Sequence, residues 1–182
     1  MKELSLNILD IAENSVKAGA TLTEIILDET DTSLTVTIAD DGCGMSEETL
    51  RAVTNPFYTA RTTRSVGLGI PLFILSAEQT GGNVKIESKR ADENDASHGT
   101  KLVATYNKNH IDFTPLGDVV STLTTLIQGH PDTDFLFIHR KDSSEVKLDT
   151  RSVKEVLEGV PINSYDVIKW IEDNLKEQYL SI

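Results

Sequence analysis

The chain has 182 residues and a mass of 20.0 kDa, and 38% of its residues are hydrophobic, which suits one ordinary domain or one domain with a small appendage. Its formal net charge of −12 argues against a general affinity for nucleic acid or anionic membranes. A single cysteine excludes internal disulfides, the four histidines lack zinc-ligand spacing, and no membrane-spanning run or secretory signal is present, so we expect a cytoplasmic protein.

The beginning of the chain predicts a helix followed by two strands. Residues 3–17 have apolar side chains at helical spacing and a polar stripe opposite, which indicates an amphipathic helix. Strands are predicted at 23–27 and 34–39, where apolar and polar residues alternate in the second. Ser46 is predicted to cap a short helix. The polar stripe of the first helix consists of Glu3, Asn7, Asp10, Asn14 and Lys17.

The middle of the chain predicts another helix and two more strands. In residues 67–82, Pro71 lies near the first helical turn and a pair of glycines follows the last one, which is the usual asymmetry of a helix. Strands are predicted at 84–88 and 101–106. Together these elements predict an α+β fold in which helices cover one sheet.

The pattern changes near Pro115, and we expect a boundary at about residue 112. A larger region, 1–112, would then be followed by a smaller α+β region, 113–182. The smaller region predicts a helix, a hairpin, a short helix and a terminal helix. It is interpreted either as a partner- or dimer-binding element or as a simple extension of the core. The predicted elements of this region come from the apolar residues of 116–127, 135–138 with 145–148, 153–157 and 167–175.

A glycine loop precedes the helix predicted at 67–82. Gly67-Leu68-Gly69 lets backbone N–H groups approach an anion at a helix N-terminus, an arrangement that suits phosphate. The alternative is an ordinary junction between a loop and a helix. No P-loop signature occurs in the chain, and the third glycine of a dinucleotide fingerprint is missing.

The same part of the chain is basic in an otherwise acidic protein. Residues 49–77 contain Arg51, Arg61 and Arg64 and no acidic residue. A basic stretch around a glycine loop favours a polyphosphate ligand, and a solvated loop without a partner is the alternative.

Asp10 and Asn14 lie one helical turn apart and face the same way. An amide oxygen is a good hard ligand for Mg²⁺, which takes only one or two protein groups beside water and phosphate oxygens. A carboxylate next to it could orient a water molecule or accept a proton. The alternative is an ordinary solvated helix face.

In their order and type, these motifs resemble those of the gyrase, heat-shock chaperone, histidine kinase and mismatch-repair ATPase (GHKL) superfamily, whose nucleotide pocket is the Bergerat fold. The resemblance covers residues 1 to about 107. It implies a two-layer helix–sheet sandwich with a mixed, mostly antiparallel sheet, and it implies ATP and Mg²⁺ as ligands. The matching segments are 10–20, 40–45, 55–58, 67–70 and 99–100.

The resemblance also implies roles for individual residues. Asn14 would carry Mg²⁺, Asp40 would receive the adenine amino group, and Met45 would pack on the base. Residues 46–66 would form the ATP lid, and Thr100 would help to bind adenine. The residues that the resemblance places around ATP are Asn14, Lys17, Asp40, Gly42, Gly44, Met45, Phe57, Arg61, Arg64, Gly67, Leu68, Gly69 and Thr100.

The first of these segments departs from the superfamily pattern at one position. Hydrolytic and anti-sigma-factor members have glutamate four residues before the asparagine, whereas this chain has Asp10. Its shorter side chain would act through a second water, and Glu13 is the alternative base. Lys17 matches a lysine that histidine kinases use near the phosphates, and a surface lysine at a helix end is the alternative. Cys43 is interpreted as a small packing residue rather than a redox switch.

The first segment begins almost at residue 1, so we expect no helical hairpin with a phosphoacceptor histidine before it and do not expect a complete sensor kinase. The chain resembles the anti-sigma-factor type of serine kinase, which phosphorylates a partner protein. Asp10 would then accept the proton of the substrate hydroxyl, and Arg61 or Arg64 would offset γ-phosphate charge. The alternative is a nucleotide-gated binding module with slow or absent hydrolysis.

Overall fold

The structure, a computed structural model, describes residues 3–54, 69–91 and 98–182. Among these residues no helix has both the length and the apolarity that crossing a membrane requires. The elements are α1 (Leu4–Lys17), β1 (Leu22–Glu29), β2 (Ser33–Asp40), α2 (Glu47–Thr54), α3 (Gly69–Glu78), β3 (Asn83–Lys89), β4 (Gly99–Asn107), α4 (Val119–Gly129), β5 (Asp134–Lys141), β6 (Ser144–Asp149), α5 (Thr150–Val156) and α6 (Tyr165–Tyr179).

The described strands form one six-stranded sheet in the order β3-β4-β2-β1-β5-β6. All neighbours in it are antiparallel except β1 and β5, which run parallel. The predicted two-layer α+β sandwich with a mixed, mostly antiparallel sheet is therefore confirmed. The hairpin of β5 and β6 continues the sheet beyond β1, so residues 134–149 share a sheet with the first four strands.

Alternation along the strands places the core on one face of the sheet. Every second residue is buried from Thr23 to Leu27 on β1 and from Leu34 to Ile38 on β2. Helix α1 covers this face with its apolar stripe and packs between α3 and α4, while α6 packs on α4 and β6. This arrangement leaves the polar edge of α1 between Asp10 and Lys17 directed out of the core.

The predicted polar stripe of α1 is not exposed along its whole length, because Asn7 is buried. This residue is 3% exposed and its Nδ2 donates to the Ser76 hydroxyl of α3 at 3.4 Å. The stripe is therefore polar, but its first turn is buried against α3. Another difference is that α4 begins at Val119, because Asp118 caps it by accepting the Ser121 N–H at 2.8 Å. The predicted cap of α2 is confirmed, since the Ser46 hydroxyl accepts the N–H of Thr49.

A buried polar cluster joins α6 to the end of the sheet that lies away from Asp40. His139 of β5 is only 2% exposed, and its Nε2 lies 3.0 Å from Glu29 Oε2 while its Nδ1 lies 3.0 Å from the Tyr179 hydroxyl. Because the carboxylate accepts the Nε2–H of a neutral imidazole, Nδ1 is left to accept from the Tyr179 hydroxyl. Burial lowers the pKa of His139 below its ordinary value, and the hydrogen bond to Glu29 offsets this only in part.

This cluster predicts that stability decreases on mild acidification. Between about pH 7.5 and pH 5.5 the unfolded chain takes up a proton at His139 that the folded chain disfavours, so the free energy of unfolding decreases as pH falls. In His139→Gln this contribution is absent. Urea unfolding of wild type and His139→Gln at both pH values measures it. Equal pH dependence in wild type and His139→Gln would contradict the prediction.

Candidate functional site

A cavity of about 90 Å³ opens where α1, the end of β2, the start of β4 and the start of α3 meet. Five of the residues that the sequence predicts around a nucleotide line it, namely Asn14, Asp40, Gly44, Met45 and Thr100. The rest of the wall is mostly apolar. The cavity therefore combines apolar side chains with a few polar groups, as small-molecule sites usually do. The other lining residues are Ile11, Ser15, Ala18, Ile38, Ile70 and Leu102.

The Asp40 carboxylate is the acidic group of this cavity, and three parts of the chain hold it. Its Oδ2 accepts a hydrogen bond from the Ser15 hydroxyl of α1 at 2.7 Å. Its Oδ1 accepts the N–H groups of Gly42 at 3.0 Å and of Thr100 at 3.2 Å. The second of these bonds follows from the register, because Asp40 lies opposite Thr100 where β2 pairs with β4. The orientation of the carboxylate therefore depends on α1, the loop and β4 together.

Two glycines allow the backbone to close around this carboxylate. Gly44 has φ +64°, and a Cβ there would overlap the carbonyl oxygen of Lys89. Gly99 has φ +126°, and a Cβ there would overlap the carbonyl oxygen of Asp40. Each of the two positions has a left-handed backbone and no space for a Cβ. Glycine is therefore required at both for the same two reasons.

The neighbouring carboxylate, Asp41, is not among the residues that line the cavity and instead holds the start of β1. Its Oδ1 accepts the N–H groups of Thr21 at 2.7 Å and Leu22 at 2.9 Å, and the Thr21 hydroxyl bonds to Oδ2. Burial raises the pKa of Asp41, but these donors outweigh it and the pKa lies below its ordinary value. The two adjacent aspartates thus differ in their contacts. Asp40 lines the cavity, whereas Asp41 binds the backbone at the start of β1.

Sequence reasoning missed Ser15 and a second serine. The Ser88 hydroxyl of β3 accepts the N–H of Met45 at 2.8 Å and lies 2.8 Å from the Thr100 hydroxyl, so it fixes two of the predicted residues. Ser15 had a signal in the sequence, because it follows Ile11 by one helical turn on the buried stripe. Ser88 had none, because its partners come from distant parts of the chain.

Asp10 and Asn14 lie beside the first described residue of α3. A Cβ at Gly69 would be 3.3 Å from the Asp10 Cβ and 3.6 Å from the Asn14 Nδ2. Asp10 is exposed and Asn14 is half-buried, and within the described ranges neither side chain has a hydrogen-bond partner. The predicted pair therefore faces the beginning of a helix with its polar atoms available.

The other two polar residues of this edge differ in their surroundings. Glu13 contacts His130 and not Asp10 or Asn14, since its Oε1 lies 2.7 Å from Nε2 of His130 at the end of α4. Lys17 is exposed at the C-terminal end of α1. Of the two carboxylates that the sequence offered as a base, only Asp10 is therefore left without a partner in the described part of the chain.

Five of the predicted site residues lie outside the described residues: Phe57, Arg61, Arg64, Gly67 and Leu68. The same holds for most of the predicted lid, of which only 46–54 is described. Their roles stay predictions.

The side chains near Asn14 offer few ligands for a metal ion. Among the described residues no group of three or more histidine, cysteine, aspartate or glutamate side chains could hold a metal. Mg²⁺ does not need such a group, since it keeps several waters and substrate phosphate oxygens and takes one or two protein oxygens. The half-buried amide of Asn14, which no side chain or backbone group of the described ranges hydrogen-bonds, fits that requirement.

The helix–sheet sandwich is the fold of the histidine kinase-, gyrase- and chaperone-like ATPase domains. The chain belongs to the histidine kinase-, DNA gyrase B-, and HSP90-like ATPase family, whose model matches residues 2–110. It is an ATPase domain of the ATP-binding type and is related to histidine kinases.

Sporulation kinase C of Bacillus subtilis (strain 168) is 28% identical to the chain over 89 residues, which are 49% of this chain and 20% of that kinase. The chain spans about a fifth or less of the length of the curated relatives it matches.

Two solved structures share the fold. The Aquifex aeolicus MutL ATPase domain complexed with ADP covers 87% of this chain and 68% of its own, with a TM-score of 0.57 and 17% identity. The topoisomerase IV ATP-binding domain of Francisella tularensis, in complex with a small-molecule inhibitor, covers 82% and 87%, with a TM-score of 0.54 and 18% identity. Both structures align with a larger part of this chain than residues 2–110, which the family model matches. The similarity in fold therefore extends into the C-terminal region.

The glycine contacts predict different costs for two alanine substitutions. Gly81→Ala places a Cβ at φ +74° with nothing within 4 Å, so it should cost about 1 kcal/mol from backbone strain alone. Gly44→Ala adds an overlap with the Lys89 carbonyl to the same strain and should cost about 3 kcal/mol or more. Urea unfolding of both variants measures the difference. Equal costs would show that the loop at Gly44 yields without strain.

Proposed function

We propose that the chain binds Mg-ATP in this cavity and transfers the γ-phosphoryl group to a partner protein, or hydrolyses ATP slowly. One observation carries the proposal: Asp40 and Asn14 line the same cavity, and Asn14 also lies with Asp10 beside Gly69 at the start of α3. Helix α1 connects these groups, because its Ser15 donates a hydrogen bond to Asp40. A nucleotide has its base at one end and its phosphates at the other, and the two groups suit those ends.

The adenine would lie at Asp40. A carboxylate accepts the exocyclic amino group of adenine, and it rejects guanine, which presents a carbonyl oxygen at that place. The apolar side chains of Ile38, Met45 and Leu102 in the cavity wall suit the flat base. The Thr100 hydroxyl, held by Ser88, is the second polar group on this side.

The phosphates would lie at the start of α3, where helix N–H groups without intrahelical partners and the positive end of the dipole favour anions. The predicted glycine loop, including Gly67 and Leu68, would enclose them from the preceding residues. Asn14 would hold Mg²⁺, and Lys17 with Arg61 or Arg64 would offset the remaining charge. When bound, Mg²⁺ would neutralise charge that develops on the phosphate oxygens during transfer.

Asp10 would orient the attacking hydroxyl or water and accept its proton. Support for this role is its exposure next to Gly69 and the engagement of Glu13 by His130. The acceptor would come from a second protein, since Asp10 lies open to solvent at the surface of α1.

A nucleotide-gated binding module without significant phosphotransfer is the second candidate. The observation that favours it is the Asp10 side chain, which no described residue holds in place. An unsupported base lowers the rate of chemistry, because catalytic groups need fixed geometry. Residues 113–182 would then provide the partner or dimer surface, for which the exposed Tyr165 (81%) and Trp170 (56%) of α6 are candidates.

Thermal unfolding with nucleotide tests the pocket. At an ATP concentration of about 100 Kd, Mg-ATP should raise the Tm by roughly 5–10 °C, which corresponds to about 2.7 kcal/mol in a chain of this size. Asp40→Asn should abolish the shift without unfolding the chain, because the amide keeps its oxygen for Gly42 and Thr100 and can donate to Ser15. Asn14→Ala should remove only the part of the shift that depends on Mg²⁺.

Asp41→Asn is the matched control for this measurement. It changes the adjacent carboxylate, which fastens β1 and does not line the cavity, so the Tm should decrease while the nucleotide shift remains. A wild-type protein without any shift would contradict ATP binding here.

Labelled ATP distinguishes the two candidates. Incubation with candidate partner proteins should yield a phosphoprotein, and the product should be lost with Asn14→Ala and strongly reduced with Asp10→Asn. Partner binding that requires ATP but leaves no labelled product would support the gated module instead.

A further inference from the structure

The exposed edge of α1 contains an acidic and a basic residue in the spacing that favours a helical ion pair. Glu13 precedes Lys17 by four residues, and glutamate on the N-terminal side is the better order for such a pair. The pair does not form. Within the described part of the chain Lys17 has no ion-pair partner, and the Glu13 carboxylate accepts a hydrogen bond from Nε2 of His130 at 2.7 Å.

Other helices of the chain show that this spacing is normally used. Pairs of opposite charge four residues apart close between Glu47 and Arg51 in α2 and between Glu172 and Lys176 in α6. The difference at Glu13 is the imidazole of His130, which reaches it from the end of α4. Both partners are about 70% buried, with side chains 27% and 30% exposed, so the contact is better shielded than the surface pairs.

We propose that His130 is a positioning residue that holds Glu13 away from Lys17 and so keeps the Lys17 ammonium available to the triphosphate. The inference rests on the proposed function. It assigns a part in nucleotide binding to a residue 20 positions beyond the segment that the family model matches.

The physical reason is local charge. Lys17 follows Asn14 by one helical turn, and the proposed function places its ammonium near the phosphates. A Glu13 carboxylate released from His130 would pair with Lys17 and would add a negative charge beside a polyanion. Both effects oppose binding of the phosphates, and neither concerns the adenine at Asp40. The loss should therefore increase with the charge of the ligand, which a purely structural role would not produce.

Equilibrium binding of ATP, ADP and adenosine at low ionic strength tests this. His130→Ala should weaken ATP binding roughly three- to tenfold, ADP less, and adenosine not at all, the size expected of a partly exposed charge interaction. The double variant His130→Ala/Glu13→Gln should restore ATP affinity to within about twofold of wild type, because no carboxylate remains to neutralise Lys17. His130→Gln, which keeps an N–H donor, should behave like wild type and covers the case in which the alanine variant does not fold.

Lys154→Met is the matched control. It breaks the Lys154–Asp134 pair, which has the same length of 2.7 Å and similar exposure of 32% and 27%, but does not involve α1. This variant should bind ATP like wild type. Equal losses for adenosine and ATP in His130→Ala, or no restoration by Glu13→Gln, would overturn the inference while the proposed function stands. If the wild-type protein binds none of the three ligands, the proposed function itself fails.

Discussion

The geometry of the site depends on how the Asp40 carboxylate is held. A carboxylate at the end of a strand could point in several directions, and here donors from Ser15, Gly42 and Thr100 select one. Each donor belongs to a different part of the fold. The carboxylate therefore has this orientation only when α1, the loop and β4 are correctly assembled. Because the same group would recognise adenine, folding and recognition depend on the same hydrogen bonds.

Helix α1 contributes to both the core and the site, and its periodicity places the residues for each on different faces. Its apolar stripe, including Leu4 and Ile8, is completely buried between the sheet and the neighbouring helices, which fixes the rotation of the helix. Its other side carries Asp10, Asn14 and Lys17 in consecutive turns. The C-terminal region supports this helix directly, since α4 packs on it and β5 continues the sheet from β1. Residues beyond the segment that the family model matches therefore pack directly on the helix that carries part of the site.

What the sequence predicted correctly depended on local signals. The period of α1, the alternation of β2 and the paired glycines are read within a few residues, and the elements appear where the pattern placed them. What it missed depended on distant partners. Asn7 is buried because Ser76 lies opposite it, and His139 is buried because Glu29 and Tyr179, from other elements, satisfy both ring nitrogens. The parallel pairing of β1 with β5 was missed for the same reason, because strand patterns indicate faces but not neighbours.

The net charge of −12 places a constraint on any triphosphate site in this chain. Long-range attraction cannot bring ATP to an acidic protein, so affinity has to come from groups in direct contact. Backbone N–H groups at a helix start provide such contact without adding net charge. Mg²⁺ would reduce the charge of the ligand before it meets the protein, and an amide such as that of Asn14 would bind the ion without a further carboxylate. In this setting the charge of Lys17, which has no ion-pair partner among the described residues, would matter more than it would on a basic surface. In the proposed arrangement, the contact of His130 with Glu13 would keep this carboxylate away from Lys17, where the charge of the ligand would be highest.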